Sequence, residues 1–203
     1  MKLGPYTSKI HTEELLEVLD LWQYPAGVKE KLAKTIRANA KKIGGPHLFR
    51  YYNPRPSKVA EAECKMAGYI GTKHCLAVNS CTSALIASLR ALGVGAGDEV
   101  IVPAYTFFAS AAVIGAANAI PVIVDVDDTL TIDPRDLEKK ISKRTKAVIV
   151  VHMRGMPAQM DKIMRICNRH KIPVIEDCAQ AAGGKYKGKM LGSIGTMGCF
   201  SFD

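Results

Sequence analysis

From His74 onward, short aliphatic and β-branched runs alternate with stretches of helical character, and that alternation restricts the fold more than any other feature. The runs are HCLAV (74–78), EVIV (99–102), PVIV (121–124), AVIVV (147–151), PVIE (173–176) and GCFSF (198–202). Each is short and almost uncharged, which suits a strand covered on both faces. Between them, residues 82–92 are rich in Ala and Leu and are followed by Gly93 as a C-cap. Asp133-Pro134 opens a helix reaching to about Ile141, and residues 160–170 carry apolar side chains at helical spacing. Strand and helix in turn predict an α/β domain: a mainly parallel sheet with helices on both faces.

Upstream, residues 27–42 and 57–69 read as two further helices, joined by the Pro-, Gly- and aromatic-rich linker GGPHLFRYYNPRPS (44–57). The chain therefore divides into an N-terminal helical segment with its linker, 1–56, and the sheet-bearing part, 57–203; the first ten residues look loose. A length of 203 residues, 48% of them hydrophobic, is enough for one substantial core.

The uncharged stretch 100–124 is long enough to span a membrane as a helix. Pro103 and Pro121 bracket it, polar residues interrupt it and acids flank it, so it reads as strand, helix, strand. The net charge of +9 raises nucleic acid as a partner. Its densest runs, 29–42 and 139–146, alternate basic with apolar residues, as solvated helix faces do, and lack the aromatics that stack bases. Six cysteines without a CxxC pair or His clustering, and no signal peptide, point to a reducing cytoplasm and no metal site.

In open α/β sheets ligands bind beyond the carboxyl ends of the strands. Four such places carry usable chemistry. NSCTSA (79–84) joins a strand to a helix start, where free N–H groups, the helix dipole and hydroxyls can cradle phosphate; Ser and Thr are also ordinary N-caps. PAYTFF (103–108) brings Tyr105, Phe107 and Phe108 to a strand end, for stacking or for core packing. IEDCAQ (175–180) ends a buried strand in two acids, so Asp177 needs a cation, a strong donor or a capping role, and Gln180 lies three residues on. Ser201, in GCFSF, is a further hydroxyl. GVGAGD (93–98) precedes a strand instead of following one, so it is a turn and not a dinucleotide loop. His152 and Arg154 follow a strand too, and packing behind the site is the expectation for both.

These blocks, in this order and with this spacing, resemble the DegT/DnrJ/EryC1/StrS aminotransferases over about residues 69–203. The resemblance implies a fold-type-I large domain, here its N-terminal half, binding pyridoxal 5'-phosphate (PLP) in a homodimer. It implies transfer of an amino group from a glutamate-like amino acid to a keto-sugar nucleotide. Thr82, Ser83 and Ser201 match positions that hold the cofactor phosphate. Phe107 matches the ring that stacks on the pyridine, and Gln180 the contact to the ring hydroxyl. Asp177 matches the partner of the pyridine nitrogen and is the expected catalytic residue. Cys81 stands where the family usually has glycine, and the family's cofactor-bearing lysine falls just beyond Asp203. A sugar dehydratase with histidine in the lysine's place, and a non-catalytic homologue, are the alternative expectations.

Overall fold

The computed structural model describes residues 16–17, 24–40 and 58–202, and the chain divides into two compact units, Met1–Ser57 and Lys58–Asp203. In the first, helix α1 spans Ala26–Ala40, a run of Lys, Ala and Leu with high helix propensity. Its expected extension to residue 42, the linker 44–57 and the N-terminal residues expected to be loose lie outside the described residues.

The second unit begins with α2 (Lys58–Ile70), followed by α3 (Cys81–Ala91), β1 (Glu99–Pro103), α4 (Ala109–Ala116) and β2 (Ile120–Val124). Then come α5 (Pro134–Lys140), β3 (Thr145–Val151), α6 (Met160–His170) and β4 (Val174–Asp177). A small hairpin, β5 (Lys185–Tyr186) and β6 (Lys189–Met190), precedes β7 (Met197–Cys199). Five strands form one parallel sheet in the order β2-β1-β3-β4-β7. Among the described residues no helix is long and apolar enough to cross a membrane; the uncharged stretch is β1, α4 and β2.

Alternation along the strands sorts the core into two layers. Val100 and Val102 of β1 and Ala147, Ile149 and Val151 of β3 pack against Leu85 and Leu89 of α3 and Val113 and Ile114 of α4. Their neighbours Ile101, Val148 and Val150 pack on the opposite face against Leu137 of α5 and Ile163, Ile166 and Cys167 of α6. Helices thus cover both faces, as the alternation of strands and helices predicts. In β4 this parity sends Ile175 and Asp177 to the α3/α4 side and Val174 and Glu176 to the α6 side.

One expected strand is absent from the ladder. Residues 74–78 lie outside any strand, and Leu76 is 75% exposed. β-branched and aliphatic composition suits a pleated surface, but a strand exists only where a neighbour supplies hydrogen bonds. Here the segment is tied instead to α2, whose Glu63 carboxylate accepts from the Ala77 N–H at 2.7 Å.

Candidate functional site

Beyond the carboxyl end of β4, alongside β7 and the start of α3, lies an open cleft of about 1480 Å³. Thr82, Phe107, Asp177, Gln180 and Ser201 all line it; Ser83 does not. Phe107 and Asp177, 70 positions apart in sequence, are brought together because β1 and β4 are both interior parallel strands, ending on the same edge.

Asp177, the last residue of β4, is 6% exposed. Its Oδ2 accepts from the Ser110 hydroxyl at 2.8 Å, and its Oδ1 accepts from the Ala179 N–H at 3.1 Å. The Cys81 thiol stands 3.9 Å from Oδ1. Burial first, then the proximity of Asp177 and Cys199, pushes the pKa of Cys81 up to about 12, so this sulfur remains a protonated weak donor. Among the described residues no lysine, arginine or histidine pairs with Asp177. The carboxylate is held by neutral donors and keeps acceptor capacity toward the cleft.

Gln180 reaches the cleft rim. Its Oε1 accepts from the Arg154 N–H at 2.9 Å; Arg154 can present that N–H because it takes the left-handed conformation (φ 52°). With the oxygen engaged, the amide NH2 is the end left to donate to an anionic oxygen. Arg154 is itself exposed, and it serves the site through its backbone.

At the start of α3, Ser80 is the N-cap, and its hydroxyl oxygen accepts from the Ser83 N–H at 3.1 Å. The Ser80 hydroxyl also donates to Ser83 Oγ. Ser83 is thereby turned into the cap, while Thr82, one position earlier, is exposed along the cleft. Phe107, 59% exposed, sits tilted against Phe108 with ring centroids 4.7 Å apart. Ser201, just past β7, is half-buried in the cleft wall. Tyr105 and Phe108 lie outside the lining.

Sequence reasoning missed two things. The first is Ser110, whose signal was its place one helical turn after Thr106, which also lines the cleft; Thr106 Oγ1 is 2.8 Å from Ser110 Oγ. The second is Glu176, which is fully buried and accepts from the N–H groups of Gly192, Ile194 and Gly195 at 2.9, 2.7 and 2.6 Å. His152 completes the set: its Nε2 lies 3.1 Å from Glu176, while its Nδ1 accepts from the Ala158 N–H. That acceptance assigns the proton to Nε2. The loop Glu176 gathers is backbone-tight, because a Cβ on Gly198 would come 2.4 Å from the Gly192 carbonyl oxygen. Polar atoms of His152, Glu176 and Cys178 lie within 4.8 Å of one another. Both imidazole nitrogens and both Glu176 oxygens are already engaged, so the cluster is a structural knot.

Known proteins resemble this chain in sequence and in fold. A sequence profile of the DegT/DnrJ/EryC1/StrS aminotransferase family matches residues 54–203. The L-glutamine:2-deoxy-scyllo-inosose aminotransferase of Micromonospora echinospora is 41% identical over 183 residues, covering 89% of this chain and 42% of that protein. The UDP-N-acetyl-3-dehydro-alpha-D-glucosamine 3-aminotransferase of Acidithiobacillus ferrooxidans is 48% identical over 143 residues, covering 69% and 38%. A Streptococcus pneumoniae protein solved in its PLP form superposes with a TM-score of 0.71 at 36% identity, over 73% of this chain and 42% of that one. The chain spans about two fifths of the length of the curated relatives it matches. PLP is the cofactor these matches indicate, and the donor set fits it. A buried carboxylate without a cation suits a protonated ring nitrogen, an amide NH2 suits a phenolic oxygen, and a helix start with a free hydroxyl suits a phosphate. By its sequence, its parallel sheet and this cleft, the chain belongs to the DegT/DnrJ/EryC1/StrS aminotransferase family.

Proposed function

We propose that the protein carrying this chain is a PLP-dependent aminotransferase that moves an amino group from a glutamate-like amino acid to a keto-sugar nucleotide or similar keto substrate. The observation that carries this reading is Asp177: a buried carboxylate, oriented by two neutral donors, facing a cleft at a parallel-sheet edge. When bound, the cofactor supplies an electron sink for deprotonation next to the transferred nitrogen. Asp177 holds the proton on the ring nitrogen that makes the sink effective. Phe107 covers the ring face, Gln180 donates to the ring oxygen, and Thr82 and Ser201 hold the phosphate from the cleft wall; Ser83, which the resemblance matches to the same role, has its N–H and its hydroxyl engaged by Ser80 and lies off the cleft.

The same reading places the protein in a reducing cytoplasm, in keeping with six free cysteines, and makes it a homodimer on the family resemblance alone. It assigns residues 1–56 to a separate helical segment and 57–203 to part of the cofactor-binding domain.

The test is direct. Full-length protein mixed with PLP is expected to change the cofactor's absorption spectrum, and then to convert glutamate or glutamine to its keto acid only when a keto-sugar nucleotide is present. Absence of cofactor uptake would sink the reading; uptake without amino transfer would move it to the dehydratase.

A further inference from the structure

We propose that Ser110, backed by Thr106, is the positioning residue that fixes the Asp177 carboxylate for the cofactor ring. This rests on the PLP reading above and adds to it a pair of hydroxyls outside the residues matched to the cofactor.

Ser110 is 1% exposed and lies in the first turn of α4, and its hydroxyl is 2.8 Å from Asp177 Oδ2. A hydroxyl has a single proton. The carboxylate can only accept, so Ser110 spends its proton there. The 2.8 Å contact between Thr106 and Ser110 must then run from Thr106 as donor. The order Thr106 to Ser110 to Asp177 is a polarised chain in which each bond strengthens the next. On the other oxygen, the Ala179 N–H completes the grip. Rotating the carboxylate about Cβ–Cγ would break both contacts at once, and one acceptor position stays aimed at the cleft.

The choice of a hydroxyl over a cation has a chemical reason. A lysine or arginine at this place would neutralise Asp177 and compete with a protonated ring nitrogen for it. A serine orients the carboxylate and leaves its charge available. The β1–α4 connection thus serves the ring twice: Phe107 lies between Thr106 and Ser110 and lines the same cleft.

The experiment compares wild type, S110A, S110T and T106V as full-length holoproteins. Removing a hydrogen bond to a charged group predicts a kcat about tenfold to a hundredfold lower for S110A, with KM nearly unchanged. S110T keeps the hydroxyl and is expected to recover most of the rate; T106V should lose only a few-fold. The reading that separates positioning from packing is the pH titration of the bound cofactor's absorption. Without the Ser110 hydroxyl the Asp177 carboxylate is free to turn away from the ring, the protonated ring nitrogen loses its aligned partner, and the S110A midpoint moves to lower pH; S110T returns it. The other titratable groups next to Asp177 are the thiols of Cys81, Cys178 and Cys199, all held protonated by burial, and Glu176 lies on the opposite sheet face. If S110A melts, T106V still decides, since it must move the midpoint the same way by less. An unshifted midpoint with unchanged kcat overturns the clamp while leaving the cofactor reading intact. A wild type that takes up no PLP overturns both.

Discussion

Glu176 and Asp177 are consecutive in β4, both buried, and they have opposite lives. Glu176 faces the α6 side and meets four donors, three of them backbone N–H groups of one loop and the fourth the His152 imidazole. Asp177 faces the α3/α4 side, meets a hydroxyl, one N–H and a distant thiol, and opens onto a cleft. A buried charge costs several kcal/mol unless its acceptor sites are filled. The saturated acid therefore belongs to the fold, and the unsaturated one keeps acceptor capacity that a ligand in the cleft can fill.

The largest expected effect breaks the saturated side. Glu176→Ala would strand three N–H groups and an imidazole in the interior, a loss of about 3–5 kcal/mol out of a total stability on the order of 5–15 kcal/mol. Urea unfolding should show a midpoint shifted far downward. A variant as stable as wild type would mean that the 192–195 loop repacks without its anchor, and the contrast between the two acids would dissolve.

On the open side the expected loss is in rate. Asp177→Ala should lower kcat/KM of the full-length enzyme by a factor on the order of 10² to 10³, while its unfolding midpoint moves far less than that of Glu176→Ala. Comparable destabilisation by both would show that Asp177 also serves mainly to hold the fold.

The same asymmetry sets a pH dependence. Burial raises the Glu176 carboxyl, but the His152 contact and the N–H groups of Gly195 and Gly192 outweigh it and hold the group below its ordinary value of 4.5. A depressed folded value means that the unfolded chain takes up the proton first. The stabilisation is thus complete above about pH 4.5 and is lost as pH falls through the folded value. Unfolding free energy measured between pH 3 and 6 should decline toward acid, and Glu176→Gln should flatten that decline. An identical slope in the variant would assign the acid sensitivity to other carboxylates.

The sheet was legible because its signals are local. Five of six runs contain strands, the last only at its start, since β7 ends at Cys199 and leaves 200–202 outside it, and residues 160–170 form a helix with the expected ends, since β-branched runs and helical spacing report directly on local burial. Residues 74–78 carry the same composition and form no ladder, because pairing is a property of the neighbour. The hairpin β5–β6 escaped notice for a different reason: its strands are two residues each, turned by Lys187 and Gly188 in left-handed conformations, which is too short for any periodicity. Within the site, Asp177 stands out as an acid ending an apolar run, whereas Ser110 is one small residue among alanines, and only the folded chain brings it to the carboxylate. The division of labour between the two acids was legible in principle, since a period of two sends neighbours to opposite faces. Which face holds the cleft was not.

The smallest effect sharpens the open side. Phe107 and Phe108 are adjacent, both exposed and in mutual contact, yet only Phe107 lines the cleft that Asp177 faces. Stacking on a planar ring is worth about 1 kcal/mol beyond area burial, so Phe107→Leu should weaken PLP binding about fivefold. Phe108→Leu, removed from the cleft but equally able to disturb the start of α4, is the control and should leave the affinity near wild type. Fluorescence titration with PLP separates the two. Equal losses would mean that the aromatic pair acts by packing the helix start, and the ring face would then need another cover.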